Sequence, residues 1–515
     1  MAHTIETHRV KTFDFWAIFH TLFGLSLMLF GKYVPSPTLA VESSQRLLDL
    51  GFTEVDGMVT LCISPLGMTV LMLFLGIVYL WSAVDTYWPG LLGIFLLGLS
   101  DYGTMNQVLS QFMGNPMTVY IFFLMVFCGA LVHSNISAYL ARFLMTLPIV
   151  KGRPWVLTTM VLITCYLVGL VEQVGAMFLM WSTLYVLFES AGYKKGDKYV
   201  TLMMVGSIIM ILLAFASDPI KAGSFYLISN LMNISASNPD LAVDLNPALF
   251  LVFGLSISAI SLVCMLISMR FIFRVDVSKL KSVDPEVLNK NPLPPMDIYQ
   301  KGMIVLFASL ATWMLLPGLI PANSALAMFC KQNSLAGTLI LCILMSFVSF
   351  KGKPISDITD HGKKFPWRVF TLISVALMMG NALMHKDTYV SLFMEYALRD
   401  MLEGLGYMPL IIIACTIAIV ATNLCNSVAS GLVFTPVLLA LCNALHFNSA
   451  PLLVCFFFTT MIAAVTPAAS PFAALLFANK QWVKSGEATA YTLYYSLVIL
   501  GIISFIGVPL AILLF

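Results

Sequence analysis

Three ionisable residues lie inside apolar stretches of this sequence, and they are the first candidates for chemistry. Glu172 stands at the centre of the apolar stretch 155–190, while Asp218 and Lys221 flank Pro219 in the next one. A carboxylate at the centre of a bilayer costs about 2.5–3.5 kcal/mol on insertion scales, so an acid there indicates a function by default. Glu172 fits three roles: a proton carrier with a raised pKa, a direct ligand of a cation, or the fixed ion-pair partner of a lysine such as Lys221.

The interruption at Pro219 offers the two other charged groups. Asp218 can cap the segment that follows, or it can join freed backbone carbonyl groups in a sodium site. Lys221 can meet an anionic substrate, or its long side chain can carry the ammonium group to the membrane surface. Gln173 adds an amide beside Glu172. Both interruptions therefore combine a charge with a neighbouring polar group.

A second apolar stretch, 409–445, carries a cluster of small polar residues at its centre. Two apolar arms around a polar middle predict a re-entrant hairpin or a broken membrane helix, because non-helical backbone at membrane depth occurs only where it is buried in protein or lines a watery cavity. The alternative is one long helix whose polar stripe packs against a neighbour. Unwound segments near the midplane are where transporters hold substrate and coupling ion. The polar residues are Thr422, Asn423, Asn426, Ser427 and Ser430.

The composition places the chain in a membrane. Of its 515 residues, 60% are hydrophobic and 10% are charged, which predicts an all-α polytopic membrane protein. The succession of apolar stretches along the chain predicts about 11 spans. The net charge of +2, without a basic patch outside short loops, gives no indication of a nucleic-acid partner. The sequence has no H-E-x-x-H, nucleophile elbow or phosphate-binding loop, so we expect no enzyme activity. Its ten cysteines show no C-x-x-C and no zinc-ligand spacing, so they imply neither a zinc site nor a disulfide framework. We expect no cofactor, with a sodium ion as the one candidate.

Basic residues cluster in the short loops between the apolar stretches. If these loops face the cytoplasm, the stretch 155–190 must enter and leave from the cytoplasmic side, and the stretch 409–445 from the outside. The charges therefore favour two oppositely directed hairpins in a multi-pass protein of the cytoplasmic membrane, with a cytoplasmic N-terminus and an external C-terminus. The clusters are Arg9 and Lys11; Arg142, Lys151 and Arg153; Lys194, Lys195 and Lys198; Arg270, Arg274, Lys279, Lys281 and Lys290; Lys351, Lys353, Lys363, Lys364 and Arg368; and Lys480 and Lys484.

The two halves of the chain repeat the same order of features. Residues 1–275 hold the first hairpin and a broken segment at about 199–234, and residues 300–515 hold the second hairpin and a broken segment at about 451–478. Residues 276–299 form a polar linker on the cytoplasmic side. Because the hairpins enter from opposite faces, the repeat is inverted, and interrupted segments at corresponding positions of the two halves point to a transport site. The matching pairs are 172–176 with 426–430, 217–219 with 465–467, and 129–133 with 381–385.

The second half resembles the divalent-anion/sodium symporters, the family of citrate, succinate and sulfate carriers within the ion transporter superfamily. The resemblance rests on residues 422–436 (TNLCNSVASGLVFTP), which follow the family's hairpin-tip pattern, and on residues 464–482 (AVTPAASPFAALLFANKQW), which resemble its Thr-Pro break. The order of spans is similar over nearly the whole chain. The sequence differs at Val428, where the family has threonine, and at Glu172 and Gln173, which replace the first Ser-Asn-Thr motif.

The resemblance implies a homodimer in which a fixed scaffold holds a mobile transport domain that moves like an elevator. It also implies that Asn426 and Ser427 bind substrate and sodium at the tip of the second hairpin. Thr466 and Pro467 would form the adjacent unwound turn. Together these features predict a secondary active transporter that moves a small organic anion, coupled to sodium or protons.

Two alternatives remain open: a cation/proton antiporter of the same superfamily, and a non-transporting membrane receptor or scaffold on this fold. The candidate residues follow from the two interruptions and the second hairpin. For substrate binding they are Glu172, Gln173, Lys221, Asn426, Ser427, Thr466 and Pro467; for ion coupling they are Glu172, Asp218, Thr422, Asn423 and Asn426, with Asp218 and Asn426 as sodium ligands.

Overall fold

The computed structural model describes residues 15–515 with gaps at 86, 151, 222, 238–241, 283–293, 322, 358–364, 391, 395, 398–405, 425–426 and 468. Helices account for most of the described chain, as predicted for a polytopic membrane protein. Within this part, eight helices are long and apolar enough to cross a membrane, by length and composition. Part of the predicted linker 276–299, residues 283–293, lies outside the described residues.

The helices are numbered here in chain order. Helix α12 continues into a π-helical turn at Ser268–Ile272, and α21 runs through another at Ile503–Gly507 into α22. Their bounds are α1 Phe15–Phe30, α2 Gln45–Asp49, α3 Pro65–Ala83, α4 Trp88–Leu97, α5 Met105–Met113, α6 Pro116–His133, α7 Ile136–Met145, α8 Pro154–Val171, α9 Gln173–Ser190, α10 Lys198–Ser217, α11 Ser224–Ser237, α12 Pro247–Ile267, α13 Ile298–Leu319, α14 Ala325–Gln332, α15 Ser334–Phe347, α16 Trp367–Leu383, α17 Tyr407–Leu424, α18 Ser427–Ala444, α19 Ser449–Thr460, α20 Pro471–Ala478, α21 Ser485–Ile502 and α22 Val508–Leu514.

Residues 38–62 correct the all-α expectation, because they contain a small antiparallel sheet. Its strands are β1 Thr38–Glu42, β2 Glu54–Val55 and β3 Met58–Cys62, in the order β1-β3-β2. Buried and exposed residues alternate along β3, which is the pattern of a strand with one covered face. A second, two-residue pair joins β4 Ser349–Phe350 to β5 Lys353–Pro354. The buried side chains of the first sheet, Val41, Val59 and Leu61, pack with Leu47 and Leu392.

Short polar residues followed by proline start several of the membrane helices. The side chains of Ser64, Asn115, Asn246 and Ser470 each accept a hydrogen bond from a backbone N–H in the first turn. The proline that follows each of them has no N–H to lose, and its fixed φ angle suits the first helical position. The sequence therefore determines these helix starts locally.

Helices α8 and α9 form a hairpin whose tip is Glu172. The backbone of Glu172 is extended, with φ −159° and ψ 125°, between the two helices. The hydroxyl of Tyr199, at the start of α10, lies 3.2 Å from the hydroxyl of Thr158, near the start of α8. The ring of Tyr199 also packs edge-on against Phe188, near the end of α9, with 6.2 Å between centroids. One side chain thus contacts the open ends of both arms, so the chain reverses direction at Glu172.

Helices α17 and α18 form a second hairpin, and residues 425–426 at its tip lie outside the described residues. Tyr407, at the start of α17, packs against Phe447, just after α18, with 5.0 Å between ring centroids. The Tyr407 hydroxyl also donates a hydrogen bond to the carbonyl of Asn448. The start of the first arm and the end of the second arm therefore lie side by side.

Each hairpin is followed by a helix that ends abruptly inside the bundle. Helix α10 ends at Ser217 before α11 begins, and α19 ends at Thr460 before α20 begins. We call residues 218–223 the first break and residues 461–470 the second break. Phe215 and Phe472 pack edge to face at 5.8 Å, so the end of α10 lies beside the start of α20. The two breaks are therefore neighbours.

The two hairpins open towards opposite ends of the bundle. Tyr185 of α9 stacks on Trp482 at 5.9 Å and accepts a hydrogen bond from Asn479 at 2.5 Å, so the chain that follows α20 lies at the open end of the first hairpin. The open end of the second hairpin lies beside Asn448, just before α19. Within the described chain α20 does not pack back along α19. The path α19, second break, α20 thus connects the two ends.

Basic residues from separate loops meet at the end where the first hairpin opens, which we call the basic face. Lys195 donates a hydrogen bond to the carbonyl of Lys480, so the loop after α9 contacts the loop after α20. The guanidinium group of Arg270 lies over the ring of Trp155 at 5.8 Å, which joins the end of α12 to the start of α8. These contacts gather the positive charge of distant loops on one side of the bundle.

Candidate functional site

A buried ion pair organises the first break. Lys221 Nζ lies 2.7 Å from Asp218 Oδ2, and both side chains are 4% exposed. Asp218 Oδ1 accepts hydrogen bonds from the backbone N–H groups of Ile220, at 2.9 Å, and Lys221, at 3.2 Å. Pro219 has no backbone N–H and cannot continue the helix. The Asp218 carboxylate therefore stabilises the backbone conformation of the first break.

The ion pair uses only part of the hydrogen-bonding capacity of Lys221. An ammonium group has three N–H donors. Among the described residues, Asp218 is the only acceptor within hydrogen-bonding distance of the Lys221 ammonium. Buried donors without an acceptor are costly. The first break can therefore receive an anionic group, such as a carboxylate, at Lys221.

The first break lies beside the α8 arm of the first hairpin, close to its tip. The hydroxyl of Tyr166 on α8, six residues before Glu172, donates a hydrogen bond to Ser217, which directly precedes Asp218, at 3.0 Å. This contact brings the three ionisable residues that the sequence singled out into one region of the bundle. The arrangement combines one ammonium group with two carboxylates inside the bundle.

The tip of the first hairpin offers an acid and an amide. The side chain of Glu172 is partly buried, and its backbone N–H donates to the carbonyl of Val168 at 2.9 Å. Gln173 begins α9, and its Nε2 atom is buried without a hydrogen-bond partner in the described part of the chain. An amide nitrogen in this state can donate to a ligand or to a bound water molecule.

Asn423 of α17 holds the second break in place. Its Oδ1 atom accepts hydrogen bonds from the backbone N–H groups of Ala464, at 3.0 Å, and Val465, at 2.8 Å. Its Nδ2 atom donates to the carbonyl of Ile419 at 2.8 Å. The hydroxyl of Thr466 donates to the backbone carbonyl of Asn423 at 2.6 Å. Protein groups thus occupy both ends of the Asn423 amide.

The remaining predicted residues of the second hairpin divide into two groups. Thr422 is fully buried, and its hydroxyl donates to the carbonyl of Thr460 at 2.6 Å. Ser427 is buried at the start of α18, whereas Pro467 is exposed in the second break. Asn426 lies outside the described residues. The structure therefore brings Thr422, Asn423 and Thr466 together, and it does not describe the tip itself.

No group of three or more His, Cys, Asp or Glu side chains among the described residues is placed to hold a metal ion. The sequence names two sodium ligands, Asp218 and Asn426. Asp218 has an ammonium group as its partner at 2.7 Å, and Asn426 falls in the part of the chain that the structure leaves undescribed. Glu172 is the other carboxylate of this region.

Three asparagines that the sequence did not single out as site residues link α6, α11 and α16. Asn115 Nδ2 donates to Asn233 Oδ1 at 2.9 Å, and Asn233 Nδ2 donates to Asn381 Oδ1 at 2.9 Å. We call these three residues the amide bridge. Isolated asparagines within apolar segments are the signal that identifies such links, because amide side chains connect helices inside membranes.

Comparison with known proteins places this geometry in a family and a fold. A family model described as citrate transporter (CitMHS) matches residues 71–433. The YdaH transporter of Alcanivorax borkumensis is similar in structure, with a TM-score of 0.55 at 13% identity over 97% of each chain. MtrF of Neisseria gonorrhoeae, described with a class of antimetabolite efflux pumps, gives a TM-score of 0.55 at 12% identity over 98% of this chain and 95% of its own. No curated protein sequence matches. At these identities the two structures share the fold.

Proposed function

The chain belongs to the citrate transporter family, and from that premise we propose that it moves a small organic anion with carboxylate groups, driven by a sodium or a proton gradient. Family and fold support a secondary transporter. The anionic substrate and the coupling ion are our assignments, argued from the two breaks and the hairpin tips.

The observation that carries the proposal is the ammonium group of Lys221 at the first break. It is almost fully buried and is matched by one acceptor among the described residues. Interrupted helices inside the membrane are where transporters bind substrate, and an ammonium group with free donors suits a carboxylate. The buried Nε2 of Gln173 supports a second donor to the same anion.

We assign ion coupling to Glu172. Asp218 already accepts three hydrogen bonds, one of them from Lys221, so a proton or a sodium ion could bind there only by disturbing the ion pair. Glu172 lies at a hairpin tip with extended backbone, where a carboxylate can take up a proton or ligate a cation. Thr422 and Asn423 contribute by fixing the second break.

On this proposal the second hairpin covers the other side of the anion. Ser427 and Asn426 belong to its tip, and Thr466 and Pro467 to the second break beside it. The resemblance to divalent-anion/sodium symporters supports this placement. It also supports an inverted repeat, an elevator movement and a homodimer. The opposite openings of the two hairpins are consistent with the inverted repeat.

The charge distribution supports an orientation in the cytoplasmic membrane. The basic face gathers residues from loops that the positive-inside rule assigns to the cytoplasm. The N-terminus would then be cytoplasmic and the C-terminus external. Asn448, at the open end of the second hairpin, donates a hydrogen bond to the carbonyl of Phe515 at 3.0 Å, which supports placing the C-terminus at the opposite end.

Transport into proteoliposomes tests the proposal. Radiolabelled citrate would be offered with an inward sodium gradient, an inward proton gradient or neither, and protein-free liposomes would serve as the control. We expect accumulation above equilibrium with one of the gradients, and its loss when an ionophore for that ion is added. If neither citrate nor other di- and tricarboxylates accumulate or exchange under any condition, the proposed substrate class is wrong.

A further inference from the structure

Asn230 on α11 is a buried amide that belongs to neither the ion pair of the first break nor the amide bridge. Its side chain is 0% exposed, and neither Oδ1 nor Nδ2 has a hydrogen-bond partner in the described part of the chain. A buried polar group without a partner costs about 1–3 kcal/mol. An amide kept at this position indicates that another molecule supplies its hydrogen bonds.

Asn230 lies between the first break and the amide bridge. Tyr226, Asn230 and Asn233 are spaced by four and three residues, so they share one face of α11. The backbone N–H of Phe225, next to Tyr226, donates to the carbonyl of Asp218 at 3.1 Å, and Asn233 belongs to the amide bridge. From Ser224, the first residue of α11, the rise to Asn230 is about 9 Å. This face therefore extends from the ion pair to the amide bridge.

Gly380 of α16 leaves room beside the amide. A Cβ atom at Gly380 would lie 3.4 Å from Asn230 Oδ1, and no other described heavy atom of a neighbouring element lies within 4 Å. By contrast, a Cβ atom at Gly431 would meet three atoms of Leu227 within 3.2 Å. Gly380 is itself buried, so the space lies inside the protein.

Thr118 of α6 places a hydroxyl at the same level. Asn115 bonds to Asn233 at 2.9 Å, and Tyr120 packs against Phe225 with 5.6 Å between ring centroids. Helices α6 and α11 therefore run antiparallel. Along α6, Thr118 lies between Asn115 and Tyr120. Along α11, Asn230 lies between Phe225 and Asn233, so the two side chains are at a similar level. The Oγ1 atom of Thr118 is also buried without a partner in the described chain.

We propose that Asn230 binds an uncharged hydroxyl group of the transported anion while Lys221 binds an ionised carboxylate; this rests on the proposed function. An amide presents a donor and an acceptor together, and an alcohol hydroxyl matches both. An ionised carboxylate has acceptors only and would leave Asn230 Oδ1 without a partner. Asn230 is therefore a specificity-determining residue that distinguishes a hydroxylated acid from the same acid without its hydroxyl.

The test compares two acids that differ by one hydroxyl. Citrate and tricarballylate, which is citrate without its hydroxyl, would be titrated against the purified full-length protein by calorimetry. We expect the parent to bind citrate roughly 10- to 100-fold more tightly, because the analogue leaves buried polar groups unpaired. Asn230→Leu should bring the citrate affinity down to that of tricarballylate. Gly380→Ala should weaken citrate binding by narrowing the space.

Two further variants separate recognition from folding. Asn230→Leu breaks no described hydrogen bond, so the apparent melting temperature of the ligand-free protein should not fall; Asn230→Ala replaces it if leucine does not fit. Asn233→Leu, one turn away, removes both hydrogen bonds of the amide bridge and a third to the carbonyl of Leu377. It should lower the melting temperature but keep the affinity ratio. Equal affinity of the parent for both acids, or an unchanged ratio in the Asn230 variants, overturns the inference and leaves the proposed function standing. If the parent binds neither acid, the inference fails; if it binds no other di- or tricarboxylate either, the proposed function fails as well.

Discussion

Asp218 and Lys221 show how one pair of side chains can serve both structure and binding. Their spacing of three residues lets the ammonium group reach the carboxylate within a single turn of the first break. Burying both charges is favourable only if further hydrogen bonds satisfy the remaining lone pairs and protons. Backbone N–H groups do this for Asp218. The remaining N–H donors of Lys221 have no acceptor among the described residues, and a carboxylate substrate can accept hydrogen bonds from them.

Lys221 should be required both for anion binding and for the stability of the first break. Lys221→Met should abolish detectable citrate binding, and it should lower the melting temperature because it leaves the Asp218 charge buried without its partner, a change that costs about 3–5 kcal/mol. The double variant Asp218→Asn, Lys221→Met should recover stability but not binding, as measured by thermal melting and calorimetry. Citrate binding in the stable double variant would show that Lys221 does not contact the anion.

Glu172 should be required for coupling to the driving ion but not for transport of the anion itself. Glu172→Gln keeps the size and hydrogen-bonding capacity of the side chain but deletes its charge. We expect proteoliposomes with this variant to exchange internal for external citrate at near-parental rates but to lose accumulation against a gradient. Accumulation equal to that of the parent at every pH and sodium concentration would mean that the coupling group lies elsewhere.

The charged residues of the site were accessible from the sequence, and the neutral ones only in part. Glu172, Asp218 and Lys221 stand out because a charge in an apolar stretch is rare. The sequence offered Lys221 an ion pair with Glu172, an anionic substrate or exposure at the membrane surface, and the structure pairs it with Asp218. Asn230 could not be singled out, because an asparagine with partners and one without look the same in sequence.

At the scale of helices, the two breaks are held in different ways. The first break relies on its own residue, Asp218, whose carboxylate accepts two backbone N–H groups of the same break. The second break relies on Asn423, which belongs to the neighbouring hairpin. If the C-terminal end of α17 moves, it must therefore either strain the second break or move the second break with it. The first break has no comparable backbone attachment through Asp218.

The prediction at this scale is that Asn423 is a positioning residue. Asn423→Ala removes the acceptor for one buried and one partly buried backbone N–H group, so we expect a loss of about 2–4 kcal/mol of stability and a lower melting temperature. Substrate affinity should weaken with it, since the second break loses its fixed shape. Asn443→Ala, at an exposed asparagine of α18, is the matched control and should melt with the parent. Equal melting of both variants would contradict the assigned role.

Helix starts were easier to predict than the small sheet of residues 38–62. A cap followed by proline acts within one turn, so Asn115 and Asn246 determine the starts of α6 and α12 from local sequence. The strands depend on distant contacts instead: the sheet packs through Leu47 against Leu392, which lies more than three hundred positions later. A pattern of period two in strands this short does not specify such a partner.

At the scale of the whole molecule, positive charge is concentrated on one face. The hydroxyl of Tyr193 donates to the carbonyl of Asp276 at 3.0 Å, and Lys279 Nζ lies 3.1 Å from Asp197, so the loop after α9 and the loop after α12 lie together. This is the distribution that the alternation of basic loops along the sequence predicts. The family match and the helical fold confirm a polytopic membrane transporter, while its orientation and the number of spans stay predictions.

The whole-molecule prediction is the orientation of this face. Cysteines introduced at Ser190 and Lys281 should react with a membrane-impermeant maleimide only from the cytoplasmic side, and one at Asp56 only from the outside. The parent, treated in the same way, corrects for labelling of its own cysteines. Labelling of Ser190 and Lys281 positions from opposite sides would disprove the first hairpin.

The contact of Tyr199 with both arms of the first hairpin has a consequence for how the chain is made. Tyr199 is synthesised after Thr158 and Phe188, which it joins. Until α10 emerges, the tip at Glu172 would meet lipid with its extended backbone unshielded, a state that a hydrocarbon environment does not tolerate. We therefore expect the two arms to remain at the insertion machinery until α10 is complete, so that all three segments enter the bilayer as a single unit.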